Sequence, residues 1–254
     1  MHAVTRAILL MLVALPAFAA SAQDNAPPPR VLIIGDSVYA QNAREVPKEL
    51  KDHASVTFAN WGDVEICNTQ TALEHLDQLL GYVDRNGEML APDERPVWDV
   101  IHFNLGLGDL VYRAPGMKAF RILPIHAGGV RTTSPEDYAK NLTELIKRLR
   151  EATGAKLIWA STTPIRASTS NVFEVGSEVD YNRIAAGVMA KHGVPINDMH
   201  GHVVGLIDMD KPASHGADPF HFDRKPIHGP IVASIREALG LPAPGEEAKQ
   251  VAGQ

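Results

Sequence analysis

Four short apolar runs stand out along the chain, each bounded by polar or turn-forming residues. VLIIG at 31–35 is almost continuously apolar and ends on glycine, the pattern of a strand buried on both faces. SVTFAN at 55–60, WDVIHFNLG at 98–106 and AKLIWAS at 155–161 read the same way, and VPIND at 194–198 is a weaker fifth run. Between them the apolar positions take up helical spacing over about 40–53, 69–82, 135–152 and 178–192, with a last helical stretch at 227–239. The third of these has a legible start and stop. Ser134 precedes Pro135 and stands three residues before Asp137, a cap followed by proline in the first turn, and Gly154 follows the stripe Tyr138, Leu142, Leu145, Ile146, Leu149. Ser177 leads into the next helix, which carries Val179, Ile184 and Val188. Strands alternating with helices predict βαβ units, a parallel sheet and helices on both faces. Ligands of such sheets bind beyond the carboxyl ends of the strands, so the chemistry is expected just after these runs.

Composition narrows the class. With 254 residues, 45% hydrophobic and 21% charged, the chain has enough apolar material for one sizeable core. A net charge of −6, from 24 Lys and Arg against 30 Asp and Glu, gives no general attraction for nucleic acid. Cys67 is the only cysteine, which excludes an intrachain disulfide, and it reads as a small apolar side chain. Residues 1–22 read as an export signal: Arg6, the apolar run AILLMLVALPAFAA, and Ala20-Ser21-Ala22 as a cleavage site, with the mature chain starting near Gln23. That apolar run is shorter than the ~20 residues of a spanning helix, so a stable membrane insertion is not expected. Residues 23–30 form a proline-rich lead-in, 31–241 the domain, and 242–254 a polar tail.

Two motifs carry chemistry. Gly35-Asp36-Ser37 follows the first strand, where glycine permits a sharp exit and the serine falls at the start of a helix. A serine there attacks a carbonyl when a base takes its proton; the same tripeptide is also a common turn and helix cap. Near the end of the chain, Asp218-Pro219-Phe220-His221 supplies that base, with Asp218 placed to orient the imidazole of His221. His215 and His228 lie near enough to compete for the role.

A strand ending in GDS near the start, with D-x-x-H before the last helix, resembles the SGNH or GDSL-like hydrolase superfamily. HFNLGLGDLV at 102–111 resembles the family's third block, a strand followed by G-x-N-D, while LIWASTTPI at 157–165 and YNRIAAGVMAKHGVPIND at 181–198 continue the pattern. The resemblance covers nearly all of the chain after residue 30. It implies a three-layer α/β/α sandwich around a five-stranded parallel sheet, of flavodoxin-like order. It also implies an esterase with Ser37 as nucleophile, His221 as base and Asp218 as orienting acid, working without a cofactor. The implied substrate is a small-molecule or carbohydrate ester, an acetylated carbohydrate first and a lipid acyl ester second.

Two positions depart from the family pattern. Gly108 stands where the third block has its oxyanion-hole asparagine, leaving Asn104 or the Gly108 backbone N–H as replacement donors. Gly62 in NWGDVEICNTQT matches the second-block glycine only loosely, and Asn68 is a further candidate there. A catalytically silent binding protein with the same fold is the rival reading. Asp198, His200 and His202, with Asp208, Asp210 and His215 nearby, have the composition of a metal site, but H-x-H alone reads as loop histidines and no metal is expected. The segment 110–134 is long for a strand-to-helix connection. It carries Arg113, Lys118, Arg121, His126 and Arg131 and no acid, so it is expected either to wall the site or to lie as a solvated loop with its charges paired elsewhere. STTPIRASTSNVFEVG at 161–176 is a second candidate wall, with Arg166 its only basic residue.

Overall fold

The structure, a computed structural model, describes residues 27–166, 171–211, 220, 222 and 225–243. The expected signal at 1–22 and almost all of the tail from 242 lie outside them, as do Asp218 and His221. In chain order the elements are β1 (Arg30–Ile34), α1 (Ser37–Asn42), α2 (Val46–Glu49), β2 (Ser55–Phe58), α3 (Thr69–Glu74), α4 (Leu76–Leu79), β3 (Val100–Phe103), α5 (Leu107–Leu110), β4 (Tyr112–Arg113), β5 (Val130–Arg131), α6 (Pro135–Thr153), β6 (Lys156–Ala160), α7 (Ser177–His192), β7 (Ile196–Asn197), α8 (Met199–Leu206) and α9 (Gly229–Leu239).

Five strands pair in the order β2-β1-β3-β6-β7, every neighbour parallel. Strand order reverses direction at β1 and β3, which makes the crevice beyond their carboxyl ends the topological switch point. Alternating side chains of the strands feed two separate cores. Leu32, Ile34, Ile101, Phe103, Leu157 and Trp159 pack with α3, α4, α6 and α7. Val31, Ile33, Val100, Ile158 and Ala160 pack with α1, α2, α8 and α9. The result is the three-layer α/β/α sandwich that the alternation of apolar runs implies.

The expected helix over 40–53 begins earlier, at Ser37, and divides into α1 and α2. Pro47 has no N–H to continue the ladder, so it sits in the first turn of α2, where none is needed. The pattern over 69–82 likewise divides, at His75. Ser134 caps α6 by accepting from the Asp137 N–H, and Gly154 ends it at φ 66°. At α7 the cap is Gly176, at φ 88°, and Ser177 is the first helical residue, its hydroxyl donating to the Glu174 carbonyl at 2.6 Å. DMHGHVVG is not a loop: Asp198 caps α8 by accepting from the Gly201 N–H at 2.9 Å. The long connection 110–134 contains the antiparallel ribbon β4-β5.

Candidate active site

Ser37 is the first residue of α1, exposed, directly beyond the carboxyl end of β1 at the switch point. The turn that presents it is held from several sides. Asp36 caps α1, its carboxylate accepting from the Tyr39 N–H at 2.8 Å. The Trp61 indole donates to the Gly35 carbonyl at 2.8 Å. A Cβ at Gly35 would lie 2.5 Å from the Tyr39 ring, so the glycine is required by close approach. Burial raises the Asp36 carboxyl, and the N–H groups of Tyr39 and Val38 pull it partly back. Tyr39 is itself anchored beneath the sheet. Its oxygen lies 2.9 Å from His102 Nδ1, and the Asn197 amide donates to His102 Nε2 at 3.2 Å. Burial lowers His102 to about 3, so the ring is a neutral spacer joining α1 to β3 and β7.

The expected oxyanion residues have different surroundings. Gly62 is an exposed turn glycine at φ 60° whose N–H donates to Asn60 Oδ1 at 2.9 Å. Asn104 is buried, and its amide donates to the Ala160 carbonyl at 2.8 Å, tying the end of β3 to β6. Gly108 lies in the first turn of α5, where backbone N–H groups have no helical acceptor. A Cβ there would stand 2.1 Å from the Cys67 carbonyl and 3.2 Å from the Asn68 Cβ. The fold thus has no room for the family asparagine at this position, and places another asparagine, Asn68, beside it. Asn68 Oδ1 accepts from the Thr71 N–H at 2.8 Å and the Thr71 hydroxyl at 3.0 Å, which fixes the side chain while capping α3. In the sequence Asn68 is the further candidate of NWGDVEICNTQT. Gly108→Asn is expected to destabilise the fold by at least about 1–3 kcal/mol, the scale of an overpacked site. Thermal denaturation checks this, and an unchanged midpoint would contradict the close contact.

Below Gly108, the Asp109 carboxylate is fully buried and takes the Thr69 N–H at 3.1 Å and the Thr69 hydroxyl at 2.6 Å. Burial raises it to about 6, against the lowering effect of hydrogen bonds from Thr69 and Thr133. Its folded pKa therefore exceeds its unfolded value of ~3.9. The stability it contributes is full below pH ~4 and is lost as pH rises through about 6. Asp109→Asn should remove this component, on the order of 2–3 kcal/mol, from the change in stability between pH 4 and 7. Urea midpoints of parent and variant at the two pH values test it; parallel pH profiles would contradict it. Cys67 borders the same floor, half-exposed, its thiol pushed up to about 11 by burial and then by the charge of Asp36.

Of the expected base and its partner, Asp218 and His221 lie outside the described residues, as does His215. The residues flanking His221 are described. Phe220 packs edge-on against Phe173 at 5.4 Å, on the α6/α7 side, and Phe222 is buried in the α8/α9 core. His228 caps α9, its carbonyl accepting from the Ile231 and Val232 N–H groups. The Asp198 carboxylate is committed to capping α8 and to the Ser161 hydroxyl at 3.1 Å. Arg166, the only basic residue of the second candidate wall, is buried and donates to the Asp208 and Lys211 carbonyls.

Part of segment 110–134 walls a groove whose lining does not include Ser37. Arg113 and Lys118 line a groove of about 900 Å³ with Phe120, facing Trp61, Asn68, Glu74 and Gln78. Part of its positive charge is spent internally: Arg131 pairs with Glu174, and Arg113 donates to the Met117 carbonyl at 2.7 Å. The Phe120 N–H donates to Glu65 at 2.7 Å, fastening the wall to the opposite side.

A parallel sheet of this order, with helices on both faces, is the fold shared with solved acylhydrolases and GDSL-like lipases. Among solved structures, the lipase/acylhydrolase from Enterococcus faecalis superposes with a TM-score of 0.57 at 15% identity, over 84% of this chain and 96% of its own. An acetyl xylan esterase superposes at 0.52 and 12% identity, over 81% and 99%. An alpha/beta hydrolase enzyme from the metagenome of Lake Arreo, Spain, gives 0.51 at 14% identity, over 84% and 95%. No protein-family model matches the sequence, and no curated protein matches it.

Proposed function

We propose that the chain is an exported serine esterase that cleaves acetyl esters of carbohydrates through an acyl-serine intermediate. The observation that carries this reading is the placement of Ser37, exposed on a rigid turn at the switch point of the sheet. Ser37 Oγ attacks the ester carbonyl while His221, oriented by Asp218, takes its proton. The alcohol leaves with that proton, and the acyl-serine is then hydrolysed by a water that His221 deprotonates. Phe220 and Phe222, the two neighbours of His221 in sequence, pack in the cores on opposite sides of the sheet. The developing oxyanion takes the Gly108 N–H and the Asn68 amide, while Asn104 serves the strands.

An acetylated sugar is favoured over a lipid by the polar lining of the adjoining groove. The acetyl xylan esterase among the similar folds points the same way. Among the described residues no helix is long and apolar enough to cross a membrane. The domain spans 31–241 behind a cleaved signal at 1–22, with 23–30 and 242–254 as flanking segments. N-terminal sequencing of exported protein is expected to find a terminus near Gln23; an intact Met1 would contradict export.

Turnover of acetylated xylo-oligosaccharides, compared with p-nitrophenyl esters of graded acyl length, tests the substrate class. Acetyl esters are expected to be cleaved fastest. A rate that climbs with acyl length would favour a lipid ester, and no turnover of any ester would favour the silent binding protein.

A further inference from the structure

The groove that Trp61 and Asn68 line is larger than one acetylated sugar ring requires, and its lining has a definite chemistry. At about 900 Å³ it lies near the top of the ~300–1,000 Å³ range of ordinary ligand pockets. Its floor is the seam between α3 and α6, where the Asn141 amide donates to the Thr69 hydroxyl at 3.1 Å and Arg148 donates to the Leu73 carbonyl at 2.8 Å. One end abuts the catalytic floor: Trp61 holds Gly35, and Asn68 packs against Gly108. From there the groove follows α3 to its last residue, Glu74, six helical residues or about 9 Å further on.

Its walls carry opposite charges. Asp63, Glu65 and Glu74 stand on the side of the 61–78 segment. Arg113, Lys118 and Lys140 stand on the other side, with Asp137 among them. Four carboxylates against three permanent cations leave little net field, so the groove selects for neither an anion nor a cation. Its apolar members are few, and two of them, Trp61 and Phe120, are aromatic. Such walls give a long acyl chain little to bury against. They suit a neutral chain dense in hydroxyls, which donate to carboxylates, accept from ammonium groups, and turn C–H faces to aromatic rings.

We infer that this groove is an extended subsite for a neutral oligosaccharide, holding several sugar units on the alcohol side of the scissile ester. The inference rests on the esterase reading for the position of that ester. It makes the enzyme one that acts on chains rather than on single acetylated sugars, with Glu74 and Lys140 setting the preference at the far end.

Calorimetric titration of the parent with unacetylated xylohexaose, cellohexaose and the matching disaccharides tests it. At least one hexasaccharide is expected to bind about 10-fold or more tightly than its disaccharide. Glu74→Gln combined with Lys140→Ala, two exposed positions, is expected to abolish that difference. Equal affinity for short and long chains, no binding of either hexasaccharide, or a difference that survives the double variant would overturn it. Fluorophosphonate labelling of the same preparation separates the two claims. Labelled protein that is blind to chain length sinks the extended subsite and leaves the esterase standing. Length-dependent binding by protein that cannot be labelled upholds the groove and sinks the esterase.

Discussion

Replacing Ser37 by alanine is expected to lower kcat on any ester the parent cleaves by about 10⁴–10⁶, because no acyl intermediate can then form. What remains would come from the oxyanion donors and from substrate binding, which persist without the nucleophile. The fold should scarcely notice. Ser37 is exposed, and the cap of α1 is the Asp36 carboxylate, which the substitution leaves in place. A surface change of this kind moves stability by about 0.5 kcal/mol or less. Steady-state rates and a melting curve on the same preparation test both halves. Wild-type turnover by a well-folded Ser37→Ala protein would remove Ser37 from the mechanism. A variant that fails to fold would mean that the GDS turn is structural.

Replacing His221 by alanine is expected to cost nearly as much, because nucleophile and base act as a unit and their losses do not add. Asp218→Asn should cost less, since an imidazole with a disordered tautomer still takes the serine proton part of the time. The double variant Ser37→Ala/His221→Ala is expected to be no slower than the worse of the two singles, within a few-fold. His228→Ala serves as the control: that residue caps α9 through its backbone carbonyl, which alanine retains. Rates on one ester for these variants and for His215→Ala test the assignment. Full activity in His221→Ala, with loss in His215→Ala or His228→Ala, would move the base to that residue.

Much of the scaffold was legible because burial on two faces leaves a strong mark. VLIIG, WDVIHFNLG and AKLIWAS became β1, β3 and β6, three adjacent strands with both faces covered. Elements that the sequence obscured are short or depend on distant partners. Gly201 and Gly205 interrupt the apolar spacing of α8, whose start is decided by Asp198 reaching the Gly201 N–H. The β4-β5 ribbon is two residues wide and exists because strands 17 residues apart meet.

At the candidate site, the GDS turn could be read because it follows a strand directly. The surroundings of Gly108 could not. What excludes a side chain there is the carbonyl of Cys67, which is 41 positions away in sequence and arrives by packing alone. For the same reason Asn68 stood only as a further candidate in NWGDVEICNTQT, and its cap on α3 and its place beside Gly108 emerged only in three dimensions. Asn104 had the residue type of an oxyanion donor, but the neighbouring strand β6 claims its amide through Ala160. Arg166 was the basic residue of a second candidate wall, and carbonyls of the segment after α8 hold it in a buried position.

The central claim is that Ser37 becomes covalently acylated. Treating the purified chain with a fluorophosphonate and mapping the adduct by peptide mass spectrometry tests it most directly. A single phosphonyl group on the peptide containing Gly35-Asp36-Ser37, localised to Ser37 and absent from His221→Ala protein labelled over the same time, is the expected result. An unmodified Ser37 in a preparation that hydrolyses esters, or an adduct on another serine, would contradict it.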